Sequence, residues 1–145
     1  MESSKKYIIV TGSNKGIGRA TLEGILERET DYGLIMTCRR QEDGEKAIEE
    51  IKAMFPGLSS YPSLVLLDLL DDQSISLFCS TVLEKFKAGS VKVFINNAGL
   101  SFDQIDDEKN SLIWRTNYVQ TRKITEKVLE SGILDSHAKI VNVSS

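Results

Sequence analysis

Histidine and cysteine are scarce in this chain. One histidine, His137, argues against a His-based metal site or a Ser-His-Asp triad built from this chain alone. The two cysteines, Cys38 and Cys79, have no metal-ligand spacing and suggest no disulfide framework. Positive charge is not in excess: the formal net charge of −3 gives no global field to recruit nucleic acid or an anionic membrane. No apolar run approaches the roughly 20 residues that span a bilayer. The run Tyr7–Val10 is too short for a signal-peptide core and passes directly into a polar, glycine-containing loop. Repeats, low-complexity tracts and interdomain linkers are missing as well. These absences leave the expectation of a cytoplasmic protein with no membrane or nucleic-acid partner. Its 145 residues, 41% hydrophobic and 27% charged, suit one domain, 1–145, with a real core.

What is present is an alternation. Five short apolar runs, Tyr7–Val10, Leu34–Thr37, Leu64–Leu67, Val91–Ile95 and Lys139–Val143, are separated by segments of helical character. Runs this short and rich in Val and Ile suit strands buried on both faces of a parallel sheet. Ile75, Phe78, Cys79, Val82 and Phe86 trace a helical stripe, with Asp71 placed to cap its start. Ile113, Asn117, Ile124 and Val128 trace another, and Gly132 is a stop signal after it. Met54–Ser63, with Pro56, Gly57 and Pro62, reads as a surface loop. The pattern predicts an α/β, Rossmann-type doubly wound parallel sheet with right-handed crossovers, running through a fifth strand.

The most informative segment follows the first strand: Thr11-Gly12-Ser13-Asn14-Lys15-Gly16-Ile17-Gly18. A buried strand feeding a glycine-rich turn and a helix at about Gly16 is how a dinucleotide pyrophosphate is held. Small residues let backbone N–H groups approach it, and the helix N-terminus favours negative charge. Gly12, Gly16 and Gly18 would supply the tight turn, the close approach and the helix–sheet contact. The alternative is a tight turn with no ligand. The second strand ends in Arg39-Arg40, about 20 residues beyond the glycine turn, where an NAD site carries an acid for the ribose 2′-hydroxyl. Guanidinium groups here, with Lys15 in the turn, suit a 2′-phosphate and hence NADP(H). As solvated surface charges they would carry no such meaning.

Thr11-Gly12-x-x-x-Gly16-Ile17-Gly18 resembles the cofactor motif of the short-chain dehydrogenases/reductases, and Asn96-Asn97-Ala98-Gly99 resembles that family's sheet-stabilising motif. With Leu67-Asp68 and Arg115-Thr116-Asn117-Tyr118, the wording is similar to the monomeric NADPH-dependent carbonyl reductases within it. The resemblance covers the whole chain but only the N-terminal part of the family fold. It implies that Ser13, Asn14, Lys15 and Ile17 join the three glycines around the cofactor. It also implies that Asp68 hydrogen-bonds the adenine amino group, with a backbone contact from Leu69. Asn96 would lie beside the cofactor ribose, and the small Ala98 and Gly99 would admit the dinucleotide to the strand end. Asn117, on the inward stripe where an unpaired amide would cost about 1–3 kcal/mol, matches the Asn that positions a water in a proton relay. Ser145, rather than Ser144, matches the substrate-orienting serine. Trp114 and Tyr118 are expected to pack against the helix. Gln120 departs from the glycine common in relatives, a change expected to perturb local packing without touching the chemistry.

The resemblance further implies a Tyr and a Lys four residues later that deliver the proton. No tyrosine here meets that spacing: Tyr7, Tyr32, Tyr61 and Tyr118 are followed at the fourth residue by Thr11, Met36, Val65 and Arg122. The expectation is therefore a carbonyl reductase-like fragment or short isoform, inactive alone, whose small ketone, aldehyde or quinone substrate would need the missing part. A non-catalytic NADP(H)-binding sensor or interaction module is the alternative. Without a covering helix the fifth strand would be an open edge, inviting self-association or marginal stability.

Overall fold

The computed structural model describes residues 5–102 and 104–144. The elements alternate as expected: β1 (Tyr7–Val10), α1 (Gly16–Glu27), β2 (Gly33–Cys38), α2 (Gln41–Met54), β3 (Ser63–Leu66), α3 (Asp72–Phe86) and β4 (Val91–Asn96). Then come α4 (Asp107–Trp114), a π-helical turn (Arg115–Gln120), α5 (Thr121–Ser131) and β5 (Leu134–Asn142). Every strand pairing is parallel, in the order β3-β2-β1-β4-β5. The chain starts at the centre of the sheet, winds outward through β2 and β3, then returns to β4 on the far side of β1. A crevice therefore opens beyond the C-terminal ends of β1 and β4, the switch point where such sheets bind ligands.

Side-chain alternation along the strands divides the core into two layers. Ile9, Ile35, Val65 and Phe94 pack beneath α3 and α5 with Ile75, Phe78, Val82, Ile124 and Val128. Ile8, Val10, Leu34 and Met36 face the other way, onto Leu22 of α1 and Ala47 and Ile51 of α2. With helices on both faces this is the doubly wound α/β fold. Local signals act where the sequence placed them: the Asp71 carboxylate caps α3 through Gln73 N, and Gly132 ends α5 in the left-handed region at φ 84°. Among the described residues, no helix is long and apolar enough to cross a membrane.

Two segments differ from expectation. The stripe Ile113, Asn117, Ile124, Val128 is not the buried one; Thr116, Gln120, Ile124 and Val128 are. A repeat of four residues drifts around a helix of 3.6 residues per turn, and the wider π turn absorbs that drift. Asn117 is left exposed, beside the stripe. Trp114 (61% exposed) and Tyr118 stack on each other, ring centroids 4.6 Å apart, instead of packing into the fold.

The second difference is β5, which begins at Leu134 rather than Lys139. Val91 pairs with Leu134 but Val93 pairs with Lys139, so residues 135–138 bulge out opposite Lys92. No apolar run marks this stretch, because ion pairing secures it. Asp135 accepts from Lys6 (2.9 Å) and Lys92 (3.2 Å) and from the backbone N–H of His137 (2.8 Å). Beyond the bulge β5 is an edge of the sheet, with Val141 and Val143 exposed.

The His137 N–H and the two ammonium groups hold the Asp135 carboxyl far below the usual carboxylate range. Its contribution to stability is thus present above the unfolded-state value, near pH 4, and is lost as pH falls through the lower folded value. Asp135→Asn is expected to melt at a lower temperature than wild type at pH 7, with the gap closing below about pH 4. A gap constant down to pH 2 would show that the clamp contributes through shape alone.

Candidate functional site

The switch-point crevice is walled by the turn after β1, the ends of β2 and β3, and the segment after β4. Gly12, with φ +59°, opens the turn; a Cβ there would stand 2.9 Å from Ala98 Cα. Its N–H donates to Thr37 Oγ1 (3.1 Å), fastening the turn to β2. Asn14, Lys15 and Gly16 line the crevice. Helix α1 begins here with Lys15 as N-cap, no side-chain cap and no acid in its first turn. Its first N–H groups and dipole are therefore free to hold an anion.

Three residues of the turn do not line this crevice. Ser13 is fully buried: its hydroxyl donates to Val10 O (2.7 Å) and accepts from Thr37 N (3.3 Å), so the turn itself consumes it. Ile17, 68% exposed, faces a second cavity on the α5 side. Gly18 sits under the turn, where a Cβ would come 2.5 Å from Asn97 Nδ2 and 2.6 Å from Gly12 O.

Those distances expose two residues missing from the expected set. The Thr11 hydroxyl donates to Ile95 O (3.3 Å) and accepts from the backbone N–H groups of Asn97 (3.0 Å) and Ala98 (2.9 Å). Asn97 Nδ2 donates back to Thr11 O (3.1 Å) and Gly12 O (3.2 Å). Together they tie the ends of β1 and β4 into one piece. Asn96, one residue earlier, points to the opposite side of the sheet. It is buried and donates to Thr125 Oγ1 and Asn142 Oδ1, both at 2.9 Å, so it links β4 to α5 and β5 and lines the second cavity, not the crevice. Ala98 and Gly99 line both.

The basic residues separate by partner. Arg39 and Lys15 line the crevice, and neither side chain has a hydrogen-bond or ion-pair partner among the described residues. Arg40 turns into an adjoining groove, where Asp43 binds its Nε at 3.0 Å, and Arg19 in the same groove is engaged by Glu23 and Glu50. Cys38, behind Arg39, donates to Arg40 O (3.1 Å), and burial pushes its thiol up, away from nucleophilic chemistry.

On the opposite wall lies the segment after β3. Asp68 Oδ1 accepts from Leu70 N (3.0 Å) and Asp68 N donates to Ser74 Oγ (2.8 Å), so this turn is closed on itself. The Asp68 carboxylate retains one oxygen without a partner among the described residues. Leu69 is buried along the wall, and Gln120 donates to its carbonyl from the π turn. Gln120, expected to affect local packing alone, thus holds a residue that lines the crevice. Asn117 is not inward: it grips the Leu100 backbone, accepting from Leu100 N (2.7 Å) and donating to Leu100 O (2.8 Å). Ser145 lies outside the described residues.

The short chain dehydrogenase family matches residues 6–145. Carbonyl reductase (NADPH) 3 of Mus musculus is 32% identical over the whole chain, which covers 50% of that relative. Carbonyl reductase (NADPH) 1 of Sus scrofa is 31% identical, with 48% of it covered. The chain spans about half the length of the curated relatives it matches. Among solved structures, menthone neomenthol reductase of Mentha piperita aligns with a TM-score of 0.83 over 99% of this chain and 61% of that one, at 21% identity. A short chain dehydrogenase of Shigella flexneri complexed with NADP gives a TM-score of 0.78 over 97% of this chain and 59% of that one, at 19% identity. At such identities the two structures establish the shared Rossmann-type fold.

Replacing Thr11 by Val keeps the shape but orphans two half-buried N–H groups, at a cost toward the lower end of about 1–3 kcal/mol. Thr11→Val should therefore melt several degrees lower, with faster amide exchange at Asn97 and Ala98. Unchanged exchange at those two amides would count against the knot.

Proposed function

The chain belongs to the short-chain dehydrogenase family, and on that premise we propose that it holds NADP(H) for a carbonyl reductase-like oxidoreductase acting on ketones, aldehydes or quinones. One observation carries the cofactor: an uncapped helix N-terminus and a glycine turn share a crevice with two unpartnered cations, Arg39 and Lys15. The residues present fit the dinucleotide. The first turn of α1, opened by Gly12 and Gly16, holds the pyrophosphate. Arg39 holds the 2′-phosphate by charge and bidentate geometry, with Lys15 as a second charge. Arg40, already paired with Asp43, contributes at longer range. The free oxygen of Asp68 takes the adenine amino group, beside the Leu69 backbone. Ala98 and Gly99 leave room for the ribose at the end of β4. The NADPH named for the mouse and pig relatives supports the same choice.

When bound, the reduced nicotinamide supplies hydride, and a carbonyl that receives it also needs a proton at its oxygen. The second cavity, about 860 Å³, lies beside Ala98 and Gly99 and is large enough for a small organic substrate. Asn117 borders it. Its amide is engaged with Leu100, so in this reading it positions a water while keeping the loop after β4 in place. Ser145 orients the carbonyl oxygen.

The 2′-phosphate assignment is tested by titrating NADPH and NADH into wild type and Arg39→Asp. The variant is expected to lose at least about tenfold in NADPH affinity, the order of one charge-assisted contact, and to keep or gain NADH affinity. An unchanged preference would sink it. NADPH binding without turnover on any carbonyl substrate would favour a non-catalytic binding module.

A further inference from the structure

The π turn contacts both walls of the crevice. On one side Asn117 grips Leu100 through two backbone hydrogen bonds. On the other, Gln120 is 3% exposed and spends both amide hydrogens on the opposite wall, one on Leu69 O and one on Asp72 Oδ1 (3.1 Å). Leu69 and Leu100 both line the crevice, and Thr116 of the same turn lies on it too. We propose that Gln120 is a positioning residue that, with Asn117, makes the π turn a strut fixing the separation of the Leu69 and Leu100 walls and so the affinity for the adenosine half of the ligand. This rests on the reading of the crevice as a dinucleotide site.

Three features support a strut. The Asp68–Asp72 segment is already rigid internally, through the Asp68–Leu70, Asp68–Ser74 and Asp71–Gln73 hydrogen bonds, so it moves as a unit with whatever holds it. Two side chains from the π turn and α5 hold it. The Lys123–Asp72 pair (3.0 Å) is solvent-exposed and worth little, whereas the Gln120 amide is buried and its loss would orphan the Leu69 carbonyl. The turn is also held at a cost: Thr116 Oγ1 is buried with no hydrogen-bond partner among the described residues, where an ordinary helical threonine bonds back one turn. Grips at both ends account for a turn that gives up that bond. The pyrophosphate region, by contrast, is built by the Thr11–Asn97 knot and α1, with no side-chain hydrogen bond from Gln120 among the described residues.

This division makes the test. Binding of 2′,5′-ADP and of inorganic pyrophosphate is measured calorimetrically for wild type, Gln120→Met and Gln120→Gly, well below each melting temperature. The strut predicts that both variants lose about fivefold to tenfold in 2′,5′-ADP affinity, the order of one buried hydrogen bond, with pyrophosphate affinity unchanged. Wild-type 2′,5′-ADP affinity in either folded variant would overturn the proposal. So would equal losses for both ligands, which would mark Gln120 as a residue of general packing. Wild type that binds 2′,5′-ADP while the variants keep its affinity leaves the dinucleotide reading standing and the strut fallen. Wild type that binds neither probe overturns both.

Discussion

A single hydroxyl holds the crevice open. Thr11 closes β1, and its Oγ1 receives the first two N–H groups beyond β4 while donating to the last residue but one of that strand. Sheet hydrogen bonding ends with Thr11 N–H on Ile95 O (3.0 Å), and beyond it the two strands diverge to leave a gap between them. Divergence normally leaves backbone groups unpaired, and buried unpaired N–H groups are costly. Thr11 and Asn97 supply the missing partners from side chains, so the strands separate while staying fastened. The glycine turn, the start of α1 and the Ala98–Gly99 wall all take their places from that junction.

From there the charges sort themselves by reach. Arg39 and Arg40 are neighbours in sequence, yet only Arg40 lies close enough to Asp43, one turn into α2, to be neutralised. Arg39 remains on the crevice side with no ion-pair partner among the described residues. The same economy applies at Asn96 and Asn97. Consecutive residues at a strand end point to opposite faces, so one amide secures the far layer and the other secures the turn. A motif of two asparagines is one device serving two cavities.

Much of this was legible without coordinates. The five apolar runs became the five strands, with the first four displaced by a residue at most, because burial on both faces demands continuous Val, Ile and Leu. Asp71 and Gly132 declared their roles as helix cap and helix stop through local chemistry, and the glycines declared the turn between β1 and α1. Less legible were segments whose stability is not apolar. The start of β5 is written in Asp135, Lys6 and Lys92, residues far apart in the chain, and no periodicity announces them. The π turn likewise could not be read, since the stripe Ile113, Asn117, Ile124, Val128 fits an ordinary helix.

The sequence by itself determined the fold class, the position of the glycine turn and the positive character of the second strand's end. These depend on hydrophobic periodicity and on backbone freedom at glycine, which are properties of residues close together in the chain. Tertiary structure alone decided which side chains face the crevice: that Ser13 is consumed inside the turn, that Asn97 rather than Asn96 reaches the glycines, that Arg39 is free, and that Gln120 and Asn117 brace opposite walls. Each of those outcomes is a competition among hydrogen-bond partners brought together by folding, and the winner is set by distances that sequence spacing does not contain.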